Sequence, residues 1–343
     1  MHELAGVARD MASALPRKPR LVPWVTPIEL GDGRLQLRAA GFSFTLGHPF
    51  FATLFSTISA SLDGTLTVDE IAQNGGPDVL PTTVIFLLRT LNTQGLLQEA
   101  EAPPKLSSAD LDRWERQLRF FGHFTSEPLA AQAALKAARV GIVAHHEICA
   151  PLVEAAEALG IGEVRLCMPP SLAADQHWAD FHDLDLLIVW LNATECETLE
   201  SINAGCLAWS IRWMHVTVEG TTTLLGPTFV PFQTACYTCY TLRTRSHVPD
   251  LEGWLAQRTH VNAGKPCSDE GSMEPLTTVL RGQLVLEIAR LLTGFAPPVT
   301  IGRCYEWNAL HPIPELHEVF RVPRCPACGS QQPIGAVWAS GVA

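Results

Sequence analysis

Short runs of alternating apolar and polar residues open the chain, and stretches with apolar residues at helical spacing follow them. The alternation is typical of half-buried strands, and Gly-Asp-Gly at residues 31–33 is a hairpin-turn sequence. Thr67 and Glu70 have the spacing of a reciprocal helix cap, and Pro81 is placed to open a further helix. The predicted strands are residues 28–30, 34–38 and 42–46, and the predicted helices are residues 48–62, 67–75 and 81–93.

Three strands followed by three helices favour a small winged-helix unit over residues 23–100, preceded by a loose tail at residues 1–22. Residues 101–125 are predicted to contain a linker at Pro103 and Pro104 and one helix at residues 108–120.

From about residue 126 the pattern changes to α/β. Apolar strand-like runs alternate with amphipathic helices, which predicts a mostly parallel sheet covered on both faces over residues 126–343. The predicted strands are residues 140–143, 164–167, 184–191 and 214–218, and the predicted helices are residues 130–138, 150–159, 199–207 and 276–292.

Composition narrows the function classes. Apolar residues make up 47% of the 343 positions and charged residues 17%, which indicates packed cores. The net charge of −11 disfavours nucleic acid as a partner. No apolar run approaches the roughly 20 residues of a membrane span, and no signal peptide is evident. We therefore expect a cytoplasmic protein with reduced cysteines and no membrane partner.

The charge of the winged-helix unit argues against DNA binding. Residues 20–100 contain four arginines and no lysine against seven acidic residues. Such units also capture peptides, and residues 42–46, as an edge strand, would offer unpaired backbone groups to an incoming strand. We predict a groove between this strand and the helix at residues 81–93, with Phe86 as its anchor. In the alternative interpretation, Phe86 belongs to the core. The candidate peptide-binding residues are Arg38, Phe42, Ser43, Phe44, Thr45, Leu46, Phe86, Arg89, Thr90 and Thr93.

Two Cys-x-x-Cys pairs carry the clearest chemistry. Cys236 and Cys239 form the first pair, and Cys325 and Cys328 form the second. Two such turns can complete a closed tetrahedral zinc site, which predicts one structural zinc ion. The alternative is two unrelated pairs, one of them redox-active. Four single cysteines among apolar residues are predicted to be core, whereas Cys267 lies in a loop beside a lysine and is a candidate reactive thiol. The four are Cys149, Cys167, Cys196 and Cys206.

The stretch at residues 139–164 resembles the opening βαβ unit of ThiF- and MoeB-like adenylating proteins. Its sequence is RVGIVAHHEICAPLVEAAEALGIGEV. Arg113-Trp114-x-Arg116-Gln117 resembles the Arg-Tyr-x-Arg-Gln helix of that family, and Asn192 and the two cysteine pairs follow at family-like positions. The resemblance covers roughly residues 110–335.

The departures from that family fall on its nucleotide site. Ala144, His146 and Cys149 replace the three glycines of the family's phosphate loop. Met168-Pro169-Pro170 stands where the family has a ribose-binding acid after the second strand. Leu191 replaces the acid that precedes the family's asparagine, which is Asn192 here. We interpret this as a nucleotide-binding scaffold that no longer binds nucleotide. Arg113 and Arg116 are then expected to serve helix packing or a subunit contact. His145 and His146 are expected to be loop residues without a fixed carboxylate partner, and not catalytic residues.

A winged helix followed by a degenerate ThiF-like domain resembles the ThiF-like partner of azole-forming YcaO cyclodehydratases in ribosomal peptide (thiazole/oxazole-modified microcin and thiopeptide) biosynthesis. The resemblance implies that the winged helix is a recognition element for the leader of a precursor peptide. It also implies that the chain is a non-catalytic adaptor, with catalysis in a separate YcaO protein, and that a homodimer is possible. Two alternatives stay open: an adenylating enzyme that activates a carboxylate or a sulfur carrier, with Cys267 as its thiol, and a DNA-binding regulator.

Overall fold

The structure is a computed structural model that describes residues 15–39, 42–99, 106–125, 127–167, 178–192, 194–265, 271–311 and 313–329. The chain divides into two compact units, residues 1–133 and residues 134–343. Among the described residues, no helix is both long enough and apolar enough to cross a membrane.

A three-stranded antiparallel sheet forms one side of the first unit. Its strands are β2 (Thr26–Glu29), β3 (Leu35–Ala39) and β4 (Phe42–Leu46), in the order β2-β3-β4. Alternate residues of β3 are buried, as the period of a half-buried strand requires, with Leu35 and Leu37 facing the core.

Three helices share one hydrophobic core with this sheet, in the predicted order of three strands followed by three helices. They are α1 (Pro49–Ile58), α2 (Val68–Gln73) and α3 (Pro81–Thr93). Thr67 and Glu70 form the predicted capping box of α2. Four residues of α3 form its core stripe, and each is at most 1% exposed. They are Val84, Leu87, Leu88 and Leu91.

Part of the predicted tail is a strand. β1 (Pro19–Leu21) pairs antiparallel with β5 (Leu97–Glu99), and the backbone N–H groups of Arg17 and Lys18 donate to the Glu99 carboxylate. Val22, predicted to be tail, is buried in the core of the unit. The strands β1 and β5 lie almost eighty residues apart in the sequence, so no local pattern predicts their pairing.

The helix predicted at residues 108–120 is two helices. α4 (Ser108–Arg113) and α5 (Glu115–Gly122) meet at Trp114, whose backbone leaves the helical conformation (φ −107°, ψ 19°) while its side chain is buried. The next helix, α6, spans Pro128–Ala137.

The second unit is built on a seven-stranded sheet in the order β12-β11-β10-β9-β8-β6-β7. Four strands form its parallel part, namely β6 (Arg139–Ala144), β7 (Glu163–Cys167), β8 (Leu186–Trp190) and β9 (Trp213–Glu219). Three antiparallel strands extend it, namely β10 (Thr222–Phe229), β11 (Arg303–Asn308) and β12 (Glu315–Glu318). The sheet is therefore mixed, where the sequence predicts a mostly parallel one.

The described part of the second unit also contains five helices. They are α7 (His146–Leu159), α8 (Cys196–Trp209), α9 (Tyr237–Arg245), α10 (Leu251–Asn262) and α11 (Glu274–Thr293). All five residues of β8 are buried, which explains its unbroken apolar sequence. The chain runs from β6 to β7 on one side of β6 and returns to β8 on its other side, so a topological switch point lies at the carboxyl end of β6.

Candidate functional site

The two predicted Cys-x-x-Cys pairs come together in one buried cluster. The sulfur atoms of Cys236, Cys239, Cys325 and Cys328 all lie within 4.8 Å of one another, and each residue is at most 3% exposed. The Sγ–Sγ distances are 3.8 Å within the first pair and 3.7 and 3.6 Å between the pairs. Zinc–sulfur bonds of about 2.3 Å in a tetrahedron place the sulfurs about 3.8 Å apart, so this donor set fits a metal ion and is too wide for disulfides.

Backbone geometry holds the second pair in a tight turn. Cys325 O accepts from Gly329 N at 2.8 Å, and a Cβ added at Gly329 would lie 2.5 Å from Cys325 N. Only glycine fits so close to the backbone of Cys325, which explains why glycine follows Cys328 in the sequence Pro-x-Cys-Gly. The guanidinium of Arg321 donates to Cys328 O and to Phe232 O, which fixes the turn to the segment before the first pair.

The surroundings of Cys239 favour the ionised form of its thiol. A hydrogen bond from Cys236 lowers the pKa of Cys239, and the backbone N–H of Val322, 3.3 Å from the sulfur, acts in the same direction. Thiolate is the form that binds metal. The four residues would hold a zinc ion with no position left for water or substrate, so its contribution would be a cross-link between distant segments.

Side chains occupy the switch point where the phosphate loop of the ThiF-like proteins would lie. His145 is the residue directly before α7, and its Nε2 lies 3.0 Å from Oε1 of Glu195. Glu195 also accepts from the backbone N–H of Asn192 at the end of β8. The prediction that His145 lacks a fixed carboxylate partner is wrong, because the loop after β8 brings Glu195 to it from fifty residues away.

The two residues after β8 have structural partners. Leu191, which replaces the family's acid, is buried, and its carbonyl accepts a hydrogen bond from His215 Nε2 at 3.0 Å. Asn192 Oδ1 accepts from the hydroxyl of Thr217 on β9 at 3.3 Å.

Arg113 stacks on the ring of Trp114, its neighbour. Met168-Pro169-Pro170 lies outside the described residues.

The predicted edge strand of the first unit is an edge in the structure. β4 pairs only with β3 among the described residues, so the backbone N–H and C=O groups on its other side have no strand partner there. Leu46 is buried on the core face, Phe42 and Phe44 are partly buried with it, and Ser43 on the opposite face is exposed. Thr45, also on that face, accepts a hydrogen bond from Gln36.

The candidate residues on α3 form one stripe. Phe86, Arg89, Thr90 and Thr93 follow helical spacing on a face separate from the core stripe. Phe86 is 59% exposed, so the alternative interpretation of Phe86 as a core residue is wrong. The hydroxyls of Thr90 and Thr93 donate to backbone carbonyls of α3 one turn earlier, which leaves their oxygens as acceptors.

Two aromatic residues of α1 extend this stripe and were missed from the sequence. The ring of Phe51 lies 5.8 Å from that of Phe86 and 5.3 Å from that of Phe50, which is 43% exposed. The sequence signal was Pro49-Phe50-Phe51, because two successive aromatics at the start of a helix cannot both face its core.

Arg38 lies in a different part of the unit from Arg89, the other charged candidate residue. The register of β3 with β4 places Arg38 beside Ser43, on the face of the sheet that points away from the helices. Arg38 could therefore contact only outward-facing side chains of an added strand, whereas Arg89 stands on α3 itself.

The single cysteines predicted to be core are all buried. Burial raises the pKa of the Cys149 and Cys206 thiols, which makes them poor nucleophiles. Cys267, the candidate reactive thiol, lies outside the described residues.

No protein-family model and no curated protein matches the chain. Among solved structures, the heterocyclase TruD aligns with 92% of this chain at 21% identity and a TM-score of 0.66. A heterocyclase in complex with substrate and cofactor aligns with 91% at 20% identity and a TM-score of 0.65. The chain spans 43% and 39% of the length of these two proteins.

Escherichia coli MccB matches over nearly its whole length. Its structure aligns with 92% of this chain and 98% of its own at 13% identity, with a TM-score of 0.61, and MccB in complex with MccA gives similar values. The chain therefore has the mixed α/β, ThiF-like fold of these proteins, with a buried four-cysteine cluster.

Proposed function

We propose that the chain is a peptide-binding adaptor that captures the leader of a ribosomally made precursor peptide and presents the peptide to a separate YcaO-type cyclodehydratase. The observation that carries the proposal is the exposed Phe86–Arg89 stripe on α3, in a unit where the outer edge of β4 has no strand partner among the described residues. A leader added beside β4 would gain backbone hydrogen bonds from the strand and side-chain contacts from the helix. The fold is also that of proteins solved with a substrate or with MccA.

The leader we propose is apolar and acidic. Phe50, Phe51 and Phe86 offer a ring surface for an apolar anchor, and Arg89 has no ion-pair partner among the described residues. A charge of opposite sign on the leader would complement Arg89, even though the unit as a whole is acidic.

Fluorescence titration tests the groove. The probe is the labelled leader of a short Cys-, Ser- and Thr-rich precursor peptide encoded beside this chain. We expect Phe86→Ala to weaken binding by at least tenfold, because it removes a large apolar anchor, and Arg89→Glu to weaken it through charge repulsion.

Matched variants on another helix of the same unit serve as controls. Phe120 on α5 is 44% exposed, and Arg119 on α5 pairs with Glu115 in solvent. Phe120→Ala and Arg119→Glu should leave the dissociation constant unchanged. Equal binding by the native protein and both α3 variants would refute the groove.

The proposed absence of catalysis rests on the side chains at the switch point. His145 and Glu195 fill the place of a glycine loop, and Leu191 stands where an acid would bind magnesium. A pyrophosphate-exchange assay with ATP and the precursor peptide should show no turnover above background. Peptide-dependent exchange would instead establish the adenylating alternative.

We assign zinc to the four-cysteine cluster, since four buried thiolates are the ligand set of structural zinc sites. Under this proposal, the metal stabilises the second unit and takes no part in a reaction.

A further inference from the structure

The segments that carry the two cysteine pairs are positively charged, although the chain as a whole has a net charge of −11. Residues 231–249 and 319–329 contain four arginines and no aspartate or glutamate. Glu318, directly before the second segment, lies 3.9 Å from Arg303 and is neutralised by it. Exposed charges more than about 8 Å apart are largely screened at physiological salt, so the acidic remainder of the chain does not cancel this local charge. The four arginines are Arg243, Arg245, Arg321 and Arg324.

Three of these arginines have guanidinium groups that a partner can reach. Arg321 is used inside the fold, where it donates to two backbone carbonyls. Arg243 is exposed, donates from one nitrogen to the carbonyl of Arg321 at 3.3 Å, and has no ion-pair partner among the described residues. Arg245 and Arg324 are also exposed, and their guanidinium groups make no hydrogen bond or ion pair within the described part of the chain.

A large apolar side chain is exposed among these cations. Phe320 is 62% exposed and directly precedes Arg321, whose carbonyl Arg243 contacts. The backbone on both sides of Phe320 is fixed, because Val319 is buried and donates to Gly302 O at 2.8 Å and because the Arg321 side chain is held by its two hydrogen bonds. An aromatic ring on a fixed backbone loses little conformational entropy when a partner covers it.

Structural roles explain only part of this charge. Arg243 and Arg245 lie in the last turn of α9, where the helix dipole favours cations. The hydrogen bonds of Arg243 and Arg321 go to backbone carbonyls and not to the cysteine sulfurs. Neither role accounts for Arg324, which keeps a left-handed backbone (φ 58°) in an exposed turn, or for the exposure of Phe320.

We propose that this surface, which we call the Phe320 surface, docks an acidic segment of a partner protein with an apolar residue among its carboxylates. Its members are Phe320, Arg243, Arg245 and Arg324. Aromatic and arginine side chains contribute most of the binding energy at many protein interfaces, and guanidinium groups pair with carboxylates through two parallel hydrogen bonds. A long phosphate backbone would extend beyond these residues and meet the acidic remainder of the chain, whereas a short acidic segment needs only the local surface.

The Phe320 surface lies in the second unit, whereas the proposed peptide groove lies in the first. The two proposals therefore stand or fall independently, and the test has to exclude binding at the groove. Titrations use the full chain with Phe86→Ala and Arg89→Glu, so that a groove at α3 contributes no binding.

A matched series of labelled peptides tests the chemistry of the partner. The probe is acetyl-Gly-Asp-Glu-Leu-Glu-Asp-Gly-amide. One companion has asparagine and glutamine in place of the acids, and another has serine in place of leucine. We expect the probe to bind at least about tenfold more tightly than either companion, because it offers both the charge and the apolar contact. Its affinity should fall as salt is added, since the arginines are exposed.

Variants of the surface locate the site. Phe320→Ala should weaken the probe by about tenfold. Arg243→Glu combined with Arg324→Glu should reverse the preference in favour of a peptide with lysines at the acidic positions, a gain that misfolding cannot produce. Leu310→Ala, which removes a side chain 74% exposed at the tip of the β11–β12 hairpin, should leave the dissociation constant unchanged.

Two results of these titrations would overturn the proposal. One is equal binding of the acidic and the neutral peptide. The other is an affinity for the probe that neither Phe320→Ala nor the double charge reversal changes.

Two further measurements test the other occupants. Oligothymidylate is titrated against the same chain, and sedimentation velocity compares the native protein with Arg324→Glu. Tighter binding of oligothymidylate than of the probe would replace the protein partner with a nucleic acid. A native dimer that Arg324→Glu dissociates would make the occupant a second copy of the chain. Weaker binding of oligothymidylate, with an association state that Arg324→Glu leaves unchanged, supports the acidic segment.

Discussion

Glu287 on α11 is a fully buried carboxylate with four hydrogen-bond donors around it. Its Oε1 accepts from the backbone N–H groups of Val299 and Thr300 and from the Thr300 hydroxyl, and its Oε2 accepts from Arg290. The side chain thereby joins α11 to the segment before β11, where no regular secondary structure could satisfy these donors.

Removal of this carboxylate should be among the more damaging single changes in the second unit. Glu287→Leu leaves the donors buried without an acceptor, and we expect a loss of about 3 kcal/mol or more in the free energy of unfolding. Glu287→Gln, which keeps one acceptor oxygen, should lose less. Urea unfolding measures both, with the exposed Glu274→Gln as a control near zero. A Glu287→Leu variant as stable as the control would contradict this role.

His215 should make stability depend on pH in a defined window. Its pKa of about 4 in the folded chain lies below the ordinary value of 6.5, so acid protonates the unfolded chain first. The contribution is complete above pH 6.5 and is lost as pH falls to about 4, with a total of roughly 3 kcal/mol. The stability difference between native protein and His215→Phe should therefore shrink over this range. A constant difference would show that His215 ionises normally.

Single residues also show what the sequence could reveal. The cysteine cluster could be predicted because the three-residue spacing within each pair is a local signal of a shared metal site. Glu195 and Glu287 gave no such signal, since their partners lie fifty and about twelve residues away and depend on how the loops close.

At the scale of elements, periodicity predicted most helices and strands to within a few residues. Periodicity failed to predict the structure where a long-range strand pairing or a buried side chain determined the backbone conformation. The examples are the strand at Pro19–Leu21 and the helix break at Trp114. Core and surface positions of α3 separate cleanly at 3.6 residues per turn, so the sequence could predict that Phe86 lies on a different face from the buried leucines. The missed aromatic pair on α1 belongs to the same surface but to another helix.

Two glycines inside helices should respond oppositely to alanine. A Cβ on Gly205 in α8 would lie 2.1 Å from the indole of Trp178, whereas a Cβ on Gly282 in α11 would meet nothing within 4 Å. Gly205→Ala should lose about 1–3 kcal/mol through overpacking, and Gly282→Ala should gain about 0.5–1 kcal/mol through helix propensity. Thermal unfolding of both variants measures the contrast, and a stabilised Gly205→Ala would refute the close helix packing.

At the scale of the whole molecule, the cysteine cluster joins segments 89 residues apart. Between them lie β11, β12 and three helices, so a metal bound at the cluster would fix the positions of all five elements. Metal removal should therefore act on a large part of the second unit and not only on the turns that hold the cysteines.

We expect one zinc ion per purified chain by elemental analysis. Cys325→Ser should lose the ion and lower the unfolding temperature by several degrees, because binding energy and folding energy are shared. Cys206→Ala, which alters a buried cysteine outside the cluster, should retain the ion. Full zinc content in Cys325→Ser would exclude the proposed ligand set.

The pairing of β1 with β5 has a consequence for engineering. It places the two ends of the segment from residue 19 to residue 99 side by side, with Pro19 opposite Glu99. A segment whose ends adjoin can be inserted into a surface loop of another protein without stretching either chain. The proposed peptide groove could thus be transferred as one segment, which would let an unrelated enzyme bind substrates that carry the leader.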